Sequence, residues 1–569
     1  MNERIGSAPE RTEVREVREA GRTTVLVIGG GINGISTFRD LALQGVDVLL
    51  IERGDFASGA SSASSHMIHG GIRYLENGEF RLVKESVTER NGLLKIAPHY
   101  VKPLETTIPI YSTFSGILSA PLRFLTHKSG KPQERGAFLI KMGLTIYDTF
   151  SRDGGMVPRH KFLGRKKSLA ELPAMDPKIK YTATYYDASM HDPERLALDV
   201  LQDGRAAHPG ARALNYVEAI GHEGDAVLVR DRESGTEFAI AADVVVNTSG
   251  PWTDLTNEAM GELTRFMGGT KGSHIVLDNP ELLAATRGRE IFFEHSDGRI
   301  VLIYPLKGKV MVGTTDIDAD PREVPLCTEE EIDYFFDLVH HVFPDIAVNR
   351  EQIVYRFSGI RPLPRHEDTA PGFVSRDYRV EVDNSRAVPH LSLVGGKWTT
   401  FRALGETLSD RILDLLGRTR VVSTLGRAIG GGKDYPQDDA ARAAWISQYL
   451  PGAGDRGEPL LKRYGTRAAE VWQYVEQGSD EPLAGGQLST RELEWMVQNE
   501  LIVRLEDVVL RRTSLAFTGD VTEEILEETA EALAPLKAWD RARTEHEIEL
   551  TRELLNSRHG LSLVARARG

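Results

Sequence analysis

Gly29, Gly31 and Gly34 stand in a Gly-x-Gly-x-x-Gly spacing. Before them, Val25-Leu26-Val27-Ile28 is a short apolar run, as a buried parallel strand requires. Ile35–Leu43 reads as a helix, Val46–Ile51 as a second strand, and Glu52 ends that strand 23 residues after Gly29. Such a unit binds the diphosphate of a dinucleotide. The first glycine allows the tight turn and the second lets the pyrophosphate approach the backbone. The third packs helix on strand, and the helix N-terminus favours phosphate charge. Glu52 can accept hydrogen bonds from ribose hydroxyls, and Asn33, inside the turn, belongs to the same cofactor-binding set.

The fingerprint alone does not separate NAD from FAD. Two later segments favour FAD. The strand Ala242–Val246 leads into Asn247-Thr248-Ser249-Gly250-Pro251-Trp252, and Leu391–Val394 leads into Gly395-Gly396-Lys397-Trp398-Thr399-Thr400 and an amphipathic helix. Both are strand-to-glycine turns that bring backbone amides to a cofactor, so Thr248, Gly250, Gly396, Lys397 and Thr399 join the cofactor-binding candidates. Two ordinary turns of an α/β protein are the alternative.

The chain has 569 residues, enough for two or three domains. Its net charge of -14 argues against a nucleic-acid partner, which needs a basic surface. Cys327 is the single cysteine, which suits a reducing compartment and excludes an internal disulfide. No metal constellation is visible: His340 and His341 are adjacent and cannot share one helical face. No apolar run reaches a membrane-spanning length. Residues 1–22 are rich in Glu and Arg and read as a flexible tail rather than a signal peptide. A cytoplasmic protein is expected.

Between these turns lies Ser61-Ser62-Ala63-Ser64-Ser65-His66-Met67-Ile68-His69-Gly70-Gly71-Ile72-Arg73-Tyr74-Leu75. Together with Lys271-Gly272-Ser273-His274, Gly313-Thr314-Thr315-Asp316, Ser358-Gly359-Ile360-Arg361-Pro362 and Gly395–Arg402, it resembles the FAD-dependent glycerol-3-phosphate dehydrogenase family of the aerobic, quinone-linked type. The similarity runs from Val25 to about Leu416 and resumes over roughly 464–555, where Arg511-Arg512-Thr513 falls in a comparable pattern. The resemblance implies an α/β fold over residues 23–425: an FAD-binding Rossmann-type domain interleaved with a mixed-sheet domain that caps the flavin. It implies a helical C-terminal domain over 438–560. It also implies oxidation of sn-glycerol 3-phosphate to dihydroxyacetone phosphate, with electrons passed to a quinone or another acceptor. A homodimer is the expected assembly, with peripheral contact at the inner face of the cell membrane as the alternative to a free cytoplasmic protein.

Hydride transfer from a secondary alcohol needs a phosphate clamp, a base and fixed geometry over the ring. Arg361 is the first choice for the clamp, because arginine meets phosphate with a planar, permanently charged fork. By resemblance, Arg73, Tyr74 and Lys397 also reach the substrate. His69 and His274 are the base candidates, His69 slightly favoured for its place beside Gly70-Gly71; Arg361 can instead stabilise a developing alkoxide. Ser62, Ser64 and the backbone up to Ile68 are placed at the flavin.

The chain also departs from the family. His66 stands where lysine is usual, and Trp398 and Phe401 replace smaller or hydroxylated residues. These changes motivate an alternative substrate such as erythritol phosphate. An amino-acid oxidase needs a carboxylate clamp instead, and a silent flavoprotein module would not need the charged set. The segment Ser112–Arg135 carries apolar residues followed by basic ones, which suits contact with an anionic membrane surface, a loop on its own domain or a dimer contact. Gly430-Gly431-Gly432-Lys433 lacks Walker spacing and reads as the linker to the C-terminal domain.

Overall fold

Successive residues of the strand Arg22–Ile28 point to opposite faces of a sheet, and both faces are buried. Val25 and Val27 join one core with Val48, Leu50, Val244 and Val246. Leu26 and Ile28 join another with Leu49, Ile51 and Val245. Burial on both sides explains why these strands read as continuous apolar runs. The computed structural model describes residues 8–71, 80–112, 140–141, 144, 158–295, 299–365, 377–383 and 386–563.

Val48–Glu52 and Glu237–Asn247 flank Arg22–Ile28 in parallel, with Arg212–Asn215 and His390–Val394 parallel outside them. Arg379–Asp383 adds an antiparallel edge. The helix Ile32–Leu43 packs between Pro193–Ala207 and Phe401–Leu415, burying Ile35, Phe38 and Leu41 against one face. All five parallel strands end toward the same rim, where ligands of such sheets bind.

The second sheet is mixed. Met267–Leu277 pairs antiparallel with Ile353–Pro364 and with Lys309–Gly313. Val101–Ile110 pairs with Tyr181–Met190, and Met67–Ile68 adds to the latter. The helix Glu329–Val342 covers this sheet with Phe335, Leu338 and Val339. In chain order the two sheets alternate: Val48–Glu52 belongs to the first, Met67–Ile68 through Tyr181–Met190 to the second, and Arg212–Asn215 to the first again. The two domains are therefore interleaved. From Asp439 to His559 the chain is mainly helical around Leu493, Trp495, Val508, Leu526 and Leu533.

The N-terminal tail is corrected in part. Thr12–Ala20 is a helix, and Val14 and Val17, three residues apart, seat it in the core beneath the parallel sheet. Arg11 donates to the Asn215 carbonyl and pairs with Asp231. The Glu/Arg-rich composition hid those two valines. The Gly430–Gly432 turn is a packed joint: a Cβ at Gly431 would sit 1.9 Å from the Tyr464 carbonyl oxygen. Among the described residues no helix is long and apolar enough to cross a membrane, and no cluster of His, Cys, Asp and Glu could hold a metal ion. Residues 113–135 of the apolar-basic segment lie outside the described residues.

Candidate active site

The fingerprint turn is locked to the turn after Glu237–Asn247. The Thr248 hydroxyl donates to the Ile28 and Gly29 carbonyls at 3.0 Å each. A Cβ at Gly34 would lie 2.0 Å from the Gly29 oxygen, so only glycine allows this approach. The third glycine turn arrives from the other side: Gly396, at φ +108°, leaves room for Asn33, whose Nδ2 would be 2.4 Å from a Cβ there. Sequence elements more than 360 residues apart thus meet at one point.

A cavity of about 690 Å³ opens from this junction. Gly29, Gly31, Asn33, Glu52, Ser62, Thr248 and Gly250 all line it. Glu52 accepts from the Gly30 and Gly54 N–H groups at 2.7 and 2.8 Å. A carboxylate accepts about four hydrogen bonds, so capacity for ribose hydroxyls is left. Burial pushes its pKa up, and the two N–H groups pull it back. Asn33 Oδ1 is buried and has no hydrogen-bond partner among the described residues. A buried amide oxygen at the phosphate turn, a backbone cradle and a cavity running on to Ser358 and Gly359 fit an extended dinucleotide such as FAD.

The serine loop crosses from the fingerprint to the second sheet. Ser61 Oγ accepts from Ile32 N at 3.0 Å, and the Ser61 carbonyl accepts from Trp398 Nε1 at 2.9 Å. Ala63 then lies over Gly359, where a Cβ would be 2.3 Å away. Ser64 Oγ accepts from His66 N at 3.3 Å, so its contact is within the loop. Ile68 is fully buried and anchors the loop in the core.

On the second sheet Thr270 stands opposite Arg361, Gly272 opposite Gly359, and His274 opposite Phe357. Facing residues of an antiparallel pair share a face, as do positions two apart. His274 and Arg361 therefore look out on the same side, separated by a strip of two glycines. Arg361 lies over Gly272 and donates from Nη1 to Asp316 Oδ1 at 2.9 Å and from Nη2 to Thr314 Oγ1 and the Thr315 carbonyl at 3.0 Å. His274 stacks on Phe357 with centroids 4.8 Å apart, and its Nε2 is 2.9 Å from Ser65 Oγ. Burial, then Arg361 and His66, hold its pKa well below the ordinary 6.5. His274 is a neutral imidazole at neutral pH.

The remaining candidates fall into three groups. Thr399 is buried, and Lys397 lies near enough to Glu85 for its charge to act on that carboxyl. His69 directly precedes Gly70, whose N–H donates to Asp187 at 2.9 Å, with Arg90 behind the carboxylate at 2.9 Å. Arg73 and Tyr74 lie outside the described residues. His66, which stands where lysine is usual, carries no charge at neutral pH. It is buried, with Nδ1 at 3.1 Å from the Met190 carbonyl, and burial and Lys307 lower its pKa to about 4.

Sequence reading singled out neither Asp316 nor Glu331. Asp316 sits in Gly-Thr-Thr-Asp, a motif noted only for resemblance. Glu331, in a helix capping box, accepts from Lys271 Nζ at 2.7 Å, Ser273 Oγ at 2.8 Å and Thr315 Oγ1 at 2.6 Å. It ties together the strands behind the clamp and the base. The only local signal was Thr328-x-x-Glu331, which marks a helix start and nothing more.

A family model described as FAD dependent oxidoreductase matches residues 24–411, and one described as the C-terminal domain of alpha-glycerophosphate oxidase matches residues 422–544. A glycerol-3-phosphate dehydrogenase of Synechocystis sp. is 33% identical, covering 93% of this chain and 96% of the relative. A D-erythritol 1-phosphate dehydrogenase of Brucella abortus is 32% identical, covering 86% and 93%. The structure of the glycerol-3-phosphate dehydrogenase from Bacillus halodurans, complexed with FAD, has the same fold at a TM-score of 0.74 and 22% identity, covering 98% of each chain. With its fingerprint, interleaved sheets and helical C-terminal domain, the chain belongs to the FAD-dependent oxidoreductase family that includes these glycerol-3-phosphate dehydrogenases.

Proposed function

We propose that this protein oxidises sn-glycerol 3-phosphate to dihydroxyacetone phosphate and passes the electrons to a quinone or another acceptor. The observation that carries this reading is that Arg361 and His274 share one sheet face beside the Gly272–Gly359 strip, whose missing side chains admit the Arg361 guanidinium and Ala63 of the serine loop. A cation suited to phosphate and a neutral base share that face, and the serine loop brings the cofactor cavity to it.

FAD, when bound, supplies the hydride acceptor at its N5 atom. Gly29, Gly31, Asn33 and Thr248 would hold its diphosphate, Glu52 its ribose, and Ser62, Gly250, Gly396 and Thr399 the part toward the ring. Arg361, oriented by Asp316, Thr314 and Thr315, binds the substrate phosphate, with Lys397, Arg73 and Tyr74 assigned to the same task. His274 takes the alcohol proton at Nε2, the nitrogen that faces the serine loop through Ser65. A dianionic substrate beside it raises its pKa toward the working range. His69 is the second candidate for the base. A quinone acceptor at the inner face of the cell membrane and a homodimer belong to the same proposal and rest on the family resemblance.

The 32% identical relative named for D-erythritol 1-phosphate keeps a second substrate in view. An anaerobic visible spectrum, titrated with each polyol phosphate, separates the two. Bleaching of the oxidised-flavin band by glycerol 3-phosphate supports the proposal. Bleaching only by erythritol phosphate moves the assignment, and a band that neither bleaches refutes both.

A further inference from the structure

The two interleaved domains do not enclose the dinucleotide cavity alone. Arg504, Glu506, Leu510 and Arg511 of the C-terminal domain line it together with Gly29 and Ser61. They are brought there by a buried ionic joint on Asp55, three residues beyond Glu52. Asp55 Oδ2 accepts from Arg511 Nε and from Arg512 Nη1, both at 2.5 Å. Its Oδ1 accepts from Arg512 Nη2 and from Asn215 Nδ2 at 3.0 Å. Asp507 takes Arg511 Nη2 at 2.8 Å and the Tyr216 hydroxyl at 2.6 Å. Burial would raise the Asp55 pKa, but the Arg512 and Arg511 guanidiniums outweigh it and hold the carboxyl far below its ordinary range.

The same domain reaches the other end of the segment that begins at Asp55. The Phe517 ring lies 5.1 Å from that of His66, and Ser514 joins the neighbouring Lys307–Asp192 pair. Residues 55–66 are thus gripped at both ends by the C-terminal domain, while Ser58 to Ala63 between them face the cavity. A half-broken buried ion pair leaves an uncompensated charge, so this joint has one favourable arrangement.

We propose that the C-terminal domain is part of the FAD site: through Arg512 and Arg511 on Asp55 it holds residues 55–66 against the cofactor and sets how tightly FAD is retained. This rests on the family's cofactor and not on which polyol phosphate is oxidised. Arg195 and Glu500 provide the control. They pair at 2.6 Å across the same domain boundary, are equally buried, and do not line the cavity.

Arg512→Lys keeps the charge and loses the two-pronged contact on Asp55, whereas Arg195→Lys keeps the charge at a contact that Arg195 makes to Glu500 through Nη1 alone. FAD affinity is measured by flavin fluorescence on apoprotein titration, and stability by thermal unfolding of the apoprotein. Both variants should unfold at lower temperature. Only Arg512→Lys should weaken FAD binding, by about tenfold or more, against less than about twofold for Arg195→Lys. Equal weakening in both means the domain acts through stability alone and overturns the proposal, as does unchanged binding in Arg512→Lys. If Arg512→Lys does not fold, hydrogen exchange on the unaltered protein decides. FAD should then protect residues 500–512 along with 55–66, and protection confined to the fingerprint overturns the proposal. Apoprotein that takes up no FAD at all overturns the cofactor assignment as well.

Discussion

Arg361 and Asp316 form an ion pair at 2.9 Å, with side chains about one-fifth exposed. The carboxylate fixes the plane of the guanidinium before any substrate arrives. Preorganised charge loses little on binding, because the ordering is already done.

The clamp should therefore fail in two distinguishable ways. Arg361→Lys keeps the cation and loses the fork; kcat/KM is expected to fall about a hundredfold, equivalent to roughly 3 kcal/mol. Asp316→Asn keeps the cation and loosens its plane. Here KM should rise about tenfold with kcat changed by less than about threefold, since the contact binds substrate and transition state alike. Steady-state kinetics against the polyol phosphate give both. An unchanged KM in Asp316→Asn would remove Asp316 from the site.

If His274 is the base, its neutral form is the active one. Its pKa lies well below 6.5 in the substrate-free protein. The kcat/KM profile should stay level as pH falls through neutrality and decline only on the acid side, as the ring takes up a proton. His274→Gln should lower kcat by about a hundredfold or more and remove that acid limb. The same loss with the limb intact would point to His69 instead.

The fingerprint, four strands of the parallel sheet and the glycine turns were legible because their signals are local, whereas the mixed sheet entered only through the family resemblance. A strand, a turn and a helix lie within a few residues of each other. The clamp and base candidates were legible as residue types, but their relation was not. His274 and Arg361 are 87 residues apart, and only the Thr270–Arg361 register puts them on one face. The Asp55–Arg512 joint spans 457 residues. His66 is of a type that titrates near neutrality. Its burial against Phe357 and Phe517 is a tertiary fact that no local pattern carries.

That burial has a consequence for stability. The pKa of His66 is about 4 folded against 6.5 when unfolded. The unfolded chain then binds more protons, so this residue's contribution is lost as pH falls from 6.5 to 4, by roughly 3 kcal/mol in full. His191 and His559, also lowered to about 4 mainly by burial, act in the same direction and window. His66→Gln should make the acid side of the stability curve shallower by about one proton. Urea unfolding at a series of pH values measures this. A parallel curve in the variant would mean His66 titrates normally.

Trp398 offers a test of the serine loop itself. Its indole N–H donates to the Ser61 carbonyl at 2.9 Å, and its ring meets Phe401 edge-on at 5.9 Å. Trp398→Phe retains an aromatic ring at that contact, deletes the donor and gives up one fused ring of packing. A net hydrogen bond contributes about 1 kcal/mol, so FAD affinity should weaken about fivefold. Hydrogen exchange over residues 58–66 should rise in the same variant. Weaker FAD binding without faster exchange would mean the indole acts on the cofactor directly. Faster exchange with unchanged affinity would mean the loop is not part of the cofactor's hold, and the path from fingerprint to His274 through Ser61 and Ser65 would lose its functional meaning.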